Sequence, residues 1–347
     1  MSASSYFILR LKQCIKCLLI SLLTMIKGSD NSQIWTAVSW VFTFFLIALL
    51  ALFSYRKRAW FATFLTISIW DIVILISIIL VSTIFSSLPR KLIAAKLGVH
   101  LTFVDWYGLA MVTNMMYFII PARSDLILSA YYLKKRCKLS LTHFATILYG
   151  NALLSGIVLS IEAGLGLLAV GLAMNIWPYQ VWAMAALLGV GCAVLVLFPG
   201  KIIPANTWLM KIVSNIVKGW NSIRSDSVLF LRLITVTTIT TFFFVITMYI
   251  AYRALGFNVD LFQILFLCAM TQLSDFFPIS PGNIGFREAV IGLVSAIVGS
   301  GFQEGFIVAV LIRALTFSVF LILGSCFYWF VIRNLRNTEK TLQGQEE

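Results

Sequence analysis

Long apolar runs separated by short clusters of basic residues set the pattern of this chain. Ile34 to Ser54 is free of charge for 21 residues, which meets the ~20 that a helix needs to cross a bilayer. A basic turn, Arg56-Lys57-Arg58, leads into a second run from Trp60 to Leu88, whose only charge is Asp71; Pro89-Arg90-Lys91 and Lys96 end it. Further runs cover Leu139 to Ala173 with Glu162 inside, Pro178 to Phe198, Leu233 to Tyr252, and Gly305 to Ile332 with Arg313 inside. These six read as full spans. Residues 6–27 interleave Arg10, Lys12 and Lys16 with apolar positions, which predicts an interfacial helix, with a short or tilted span as the alternative, within an N-terminal segment, 1–33, rather than a cleaved signal. Residues 34–333 then form one transmembrane domain, 199–232 a connection lying on the membrane surface, and 334–347 a polar, disordered tail.

Two other apolar runs are interrupted. Leu101 to Ile120 breaks at Pro121-Ala122-Arg123-Ser124-Asp125, and Leu261 to Phe277 breaks at Pro278-Ile279-Ser280-Pro281-Gly282-Asn283-Ile284-Gly285-Phe286-Arg287-Glu288. Hydrocarbon offers no hydrogen bonds to loose backbone, so irregular chain at that depth survives only inside protein or beside a polar cavity. Ionisable residues there are costly and mark a candidate site. Breaks in comparable positions of two halves point to a binding site at the bilayer midplane. The expected fold is therefore an all-α polytopic membrane protein with about six full spans. Two opposed re-entrant helix–break–helix elements, related as an inverted repeat, complete it.

Composition agrees. The 347 residues are 61% hydrophobic and 11% charged, too little charge to cover a soluble domain of this size. The excess of 26 Lys and Arg over 13 Asp and Glu sits in short loops, which favours anionic lipid surfaces over nucleic acid. If each broken element returns to its own side, 19 of the 26 bases share one face with both termini. The positive-inside rule makes that face cytoplasmic, in a plasma membrane, with Arg56-Lys57-Arg58 as the exception. No metal or cofactor is expected: Cys14-Ile15-Lys16-Cys17 is a lone pair, and His100 and His143 lack ligand spacing.

The broken segments carry a resemblance. Asn114, Pro121, Arg123 and Asp125 in the first half are similar to the transmembrane, flippase-like domain of the lysylphosphatidylglycerol synthase family. So are Pro278, Pro281, Gly282, Gly285, Arg287 and Glu288 in the second half, where Asn283 replaces the usual second glycine, and Arg313 in the last span. The resemblance covers about residues 34 to 333. The full synthases add a soluble aminoacyltransferase domain; this chain stops about 15 residues after its last span, so lysyl transfer is not expected of it. What the resemblance implies is the handling or movement of lipids.

Arg287 and Glu288 open a helix after a Pro/Gly break, where free N–H groups favour a phosphate or carboxylate. Arg287 adds a planar fork suited to phosphate. Glu288 is expected to orient it, to take protons, or to pin the break as an ion pair. Arg123 and Asp125 have the same logic at the other break, while Asn114, Pro121, Pro278, Pro281, Gly282, Asn283 and Gly285 shape the two breaks. Arg313 needs a partner among Glu288, Asp275 and Glu304. Asp71 and Glu162 are candidate proton carriers. Two functions remain open. One is a translocase for an anionic phospholipid or polyprenyl-phosphate-linked lipid. The other is an accessory subunit or membrane enzyme of lipid or glycan assembly, with envelope-biosynthesis enzymes or a second copy as partner.

Overall fold

The computed structural model describes residues 63–64, 66–119, 124–174, 179–197, 208–275 and 281–343. The N-terminal segment, the first expected span, the basic turn at 56–58, Pro121, Arg123 and Pro278 lie outside them. Among the described residues the chain forms ten α-helices. These are α1 (Ile69–Lys96), α2 (Leu109–Ile119), α3 (Ser124–Cys137), α4 (Leu141–Met174), α5 (Tyr179–Leu197), α6 (Trp208–Arg224), α7 (Ser227–Ala254), α8 (Leu261–Asp275), α9 (Phe286–Ile297) and α10 (Phe302–Gln343).

Length and hydropathy qualify α1, α4, α7 and α10 to cross a membrane. Helix α5, 19 residues long, reaches about 28 Å at 1.5 Å per residue, close to the ~30 Å of a hydrocarbon core. Half of the α4 window is buried inside the protein against 17% for α7 and 28% for α1. So α4 is the most central of these helices, and α1 and α7, packed against each other, lie nearer the outside of the bundle. The chain is a multi-pass helical membrane protein.

Three boundaries differ from the sequence reading. Pro89 does not end its span: α1 runs through it to Lys96. Proline inside a helix removes a hydrogen bond at a cost of ~3 kcal/mol, but Ile93 and Ala94 beyond it are fully buried, and that burial offsets the loss. The expected connection at 199–232 holds a helix, α6, and the first turns of α7. Trp220 and Ile223 of α6 are buried while Lys218 and Ser222 stay exposed. Helix α7 begins six residues earlier than its apolar run because Asp226 caps it, accepting from the Leu229 N–H at 3.1 Å and from the Lys96 ammonium at 2.8 Å. Lys96 holds the Asp226 carboxyl below the usual carboxylate range. This link is therefore present at neutral pH and is lost only on strong acidification. The last helix also continues past the expected tail boundary, to Gln343.

The two broken runs fold as helical hairpins. Helices α2 and α3 meet at their open ends, where the buried Asp105 carboxylate accepts from the Tyr132 hydroxyl at 2.6 Å and Asn334 at the far end of α10 reaches that hydroxyl at 3.5 Å. Helices α8 and α9 close in the same way at the opposite end of the bundle. There the Gln263 amide donates to the Val298 carbonyl at 2.8 Å, and the Tyr252 hydroxyl near the end of α7 donates to Ser295 at 3.0 Å. The open ends of the two hairpins thus lie at opposite ends of the bundle, and the turn of the second packs on the end of α2: a Cβ on Gly282 would lie 3.4 Å from the Tyr117 carbonyl oxygen. One apolar core surrounds the first hairpin and a second surrounds the other.

Helix α4 packs on α8 at Gly166, where an added Cβ would stand 2.5 Å from the Phe266 backbone nitrogen; Gly164, two residues earlier, has nothing within 4 Å. Gly166→Ala must push two helices apart and is expected to lower stability by about 1–3 kcal/mol. Gly164→Ala should be neutral or stabilising by up to about 1 kcal/mol. Thermal unfolding of the two variants in detergent checks the contrast.

Candidate functional site

Where the two cores and the two hairpin tips meet there is a cavity of about 190 Å³. Its walls come from α1, α2, α7, α9 and α10. Ser82, the fourteenth of the 28 residues of α1, lines it, so the cavity lies midway along a spanning helix.

The second hairpin tip is built by backbone that only a few residue types adopt. Gly282 and Gly285 have φ of 59° and 84°, in the left-handed region, where a Cβ would be strained. Asn283 has a φ of 53°, tolerable for asparagine because its short amide bonds locally. That amide donates to the Ser274 carbonyl and to Asp275, both at 3.3 Å. Asparagine in place of glycine therefore ties the tip back to the end of α8.

Arg313 fixes the same tip from α10. Its guanidinium donates to the Gly282 carbonyl at 2.6 Å and the Asn283 carbonyl at 3.1 Å, and pairs with the buried Glu288 carboxylate. It also stands 5.7 Å from the centre of the Phe118 ring on the first hairpin. Glu288 in turn accepts from the Gly285 N–H at 2.7 Å, closing the start of α9. One arginine therefore satisfies carbonyls freed by the break, neutralises a buried acid and touches both tips.

Arg287 and Glu288 do not pair with each other. Adjacent helical residues point in different directions, and Arg287 turns instead toward Asp275 at 3.6 Å and over Phe244 at 5.3 Å. Its side chain keeps 28% exposure. The 3.6 Å separation is too long for a hydrogen bond, which leaves the fork of Arg287 available in the cavity.

The structure therefore brings Asn114, Arg287, Glu288 and Arg313 to one cavity, with Gly282, Asn283 and Gly285 shaping its edge and Pro281 opening the short 3-10 turn before it. Asn114 makes no hydrogen bond to a described residue and faces the cavity rather than broken-helix carbonyls. Asp125 lies elsewhere, in the first turn of α3, where its charge acts on Arg90 of α1. Glu162 is buried between α4 and α8, accepting from Gln272 at 3.0 Å. Asp71 sits in the first turn of α1, where the helix dipole favours an acid. Neither lines the cavity. No cluster of metal-binding side chains occurs among the described residues.

Two features escaped the sequence reading. Asp105 lies inside the stretch taken as apolar, yet it closes the first hairpin; its spacing from Thr102, whose N–H it accepts at 3.0 Å, is a helix-start pattern that was there to be read. The second is the set of hydroxyls, Ser82, Ser86 and Thr316, that lines the same cavity as Arg287. Hydroxyls in an apolar span give no sequence signal, since most bond back to their own helix as Thr83 does to the Ile79 carbonyl at 2.8 Å.

Set against known families, residues 37–324 match the family model of the lysylphosphatidylglycerol synthase TM region. No curated protein and no solved structure matches the chain.

Proposed function

Because the chain belongs to the lysylphosphatidylglycerol synthase transmembrane-region family, we propose that it moves a membrane lipid with an anionic, phosphate-bearing head group across the bilayer. The observation that carries this reading is Arg287: a partly exposed guanidinium without a hydrogen-bonded acid, in a mostly apolar cavity midway along α1. A fixed cation there offsets the cost of taking a phosphate out of water, and its fork can hold two oxygens at once. The head group enters between the hairpin tips while the acyl or prenyl tails remain among the lipid-facing surfaces of α1 and α7. In this reading the hairpins are re-entrant, Arg313 and Glu288 hold the tip that the head group passes, and the face richer in Lys and Arg, with both termini, is cytoplasmic in the plasma membrane.

Native mass spectrometry of the protein purified in mild detergent tests the reading. The wild-type chain is expected to retain an anionic phospholipid or polyprenyl-phosphate lipid, and Arg287→Ala to lose it. Retention of neutral or zwitterionic lipids alone would overturn the proposal in favour of an accessory role in lipid or glycan assembly.

A further inference from the structure

Two pairs of arginine and acid meet at the second hairpin tip, and they differ in kind. Arg313 and Glu288 are enclosed, with 17% and 3% of their side chains exposed. Opening that pair would strand a buried charge. Arg287 and Asp275 stand 3.6 Å apart, beyond hydrogen-bond length, with 28% and 37% exposed. With nothing bound the four charges sum to zero, so the empty site avoids the cost of a lone cation at this depth.

Asp275 is the last residue of α8 and stands beside Arg287 without lining the cavity. Its carboxylate is shared. One oxygen, Oδ2, faces the Arg287 guanidinium, and the other, Oδ1, accepts from the Asn283 amide at 3.3 Å. Drawing Arg287 away therefore leaves Asp275 with the Asn283 amide and with water, and no buried charge is stranded. A phosphate offers anionic oxygens of the same kind to the same fork. At hydrogen-bond distance it outcompetes a carboxylate held at 3.6 Å. A carrier must also let go of what it binds, and an acid waiting beside the cation favours release.

We infer that Asp275 is a built-in competitor for Arg287. Its carboxylate holds the guanidinium in the empty site, gives way to the phosphate of the lipid, and reclaims the guanidinium as the lipid leaves. Asp275 is thus a positioning residue that acts through Arg287 and sets how tightly the lipid is held. This rests on the lipid-translocation reading and adds the release step to it.

The test reads binding and movement separately. Phosphatidylglycerol titrated into the purified chain and followed by native mass spectrometry should bind Asp275→Asn about fivefold more tightly than wild type, the scale of a partly exposed ion pair. The asparagine keeps an oxygen for the Asn283 amide. Asp275→Glu keeps the charge and should bind no more tightly than wild type. In vesicles with phosphatidylglycerol in excess, Asp275→Asn should move the fluorescent lipid about fivefold more slowly, because release limits the rate. A residue that only shaped the tip would lower stability and affinity together, so tighter binding with slower movement separates the two roles. Asp275→Ser is a second neutral variant, and melting temperatures report the fold of each. Three results overturn the inference and leave the translocation reading standing: unchanged or weaker binding by the folded neutral variants, tighter binding by Asp275→Glu, and loss of fold in both neutral variants. Movement by Asp275→Asn as fast as wild type overturns it too. Failure of the wild type and every variant to bind phosphatidylglycerol overturns the translocation reading as well.

Discussion

Replacing Arg313 with leucine is expected to destabilise the protein more than any other single change at the cavity. The substitution strands the buried Glu288 carboxylate and frees the carbonyls of Gly282 and Asn283, which the guanidinium satisfies at 2.6 and 3.1 Å. Removing one member of a buried, hydrogen-bonded ion pair costs about 3–5 kcal/mol, a large share of the stability of most domains. Arg313→Lys should lose less, because an ammonium still neutralises Glu288 but lacks the planar fork that reaches two carbonyls and an acid together. In the double variant Arg313→Leu, Glu288→Leu no charge is left unpaired, so its loss should be smaller than the sum of the single losses. Thermal unfolding of the purified variants measures all of these. A wild-type melting temperature for Arg313→Leu would show that the tip does not depend on this residue.

Arg287 should behave in the opposite way, with little effect on stability and a large effect on transport. Its contact with Asp275 at 3.6 Å is long and its side chain is 28% exposed, so Arg287→Ala removes an ion pair of the kind worth ~1 kcal/mol or less. A phosphate crossing the cavity would lose the one cation there that no acid holds by a hydrogen bond. Charge-assisted hydrogen bonds are worth about 1.5–3 kcal/mol each, so losing a two-pronged contact should slow movement about 100-fold or more. Arg287→Lys should retain part of the rate, since the charge remains and the fork does not. Loss of fold in Arg287→Ala would assign this residue to structure, as Arg313 is assigned.

The breaks themselves were legible in the sequence. Pro278, Pro281, Gly282 and Gly285 punctuate an apolar run, and positive φ at Gly282 and Gly285 explains why glycine stands there. The partners were only partly legible: Glu288 stood among three candidates for Arg313, and the structure pairs the two. Arg287 and Glu288 look like a pair because they are adjacent, but helical geometry sends them to Asp275 and to Arg313, 25 positions downstream of Glu288. Proline was a poor guide at Pro89, where burial of Ile93 and Ala94 outweighs a missing hydrogen bond. Asp105 was hidden by the apolar residues around it, and the hydroxyls of α1 resembled ordinary span residues. For Pro89, Arg287 and the hydroxyls the deciding interaction is tertiary and local pattern carries no record of it, whereas Asp105 had a local sign in its spacing from Thr102.

The central claim is that an anionic head group crosses the membrane past Arg287. Purified protein reconstituted into vesicles, with the transbilayer movement of fluorescent phosphatidylglycerol followed for wild type, Arg287→Ala and protein-free vesicles, tests it most directly. The account predicts rapid movement in wild-type vesicles and movement near the protein-free rate with Arg287→Ala. Equal rates for wild type and Arg287→Ala, or wild-type vesicles no faster than protein-free ones, would contradict it.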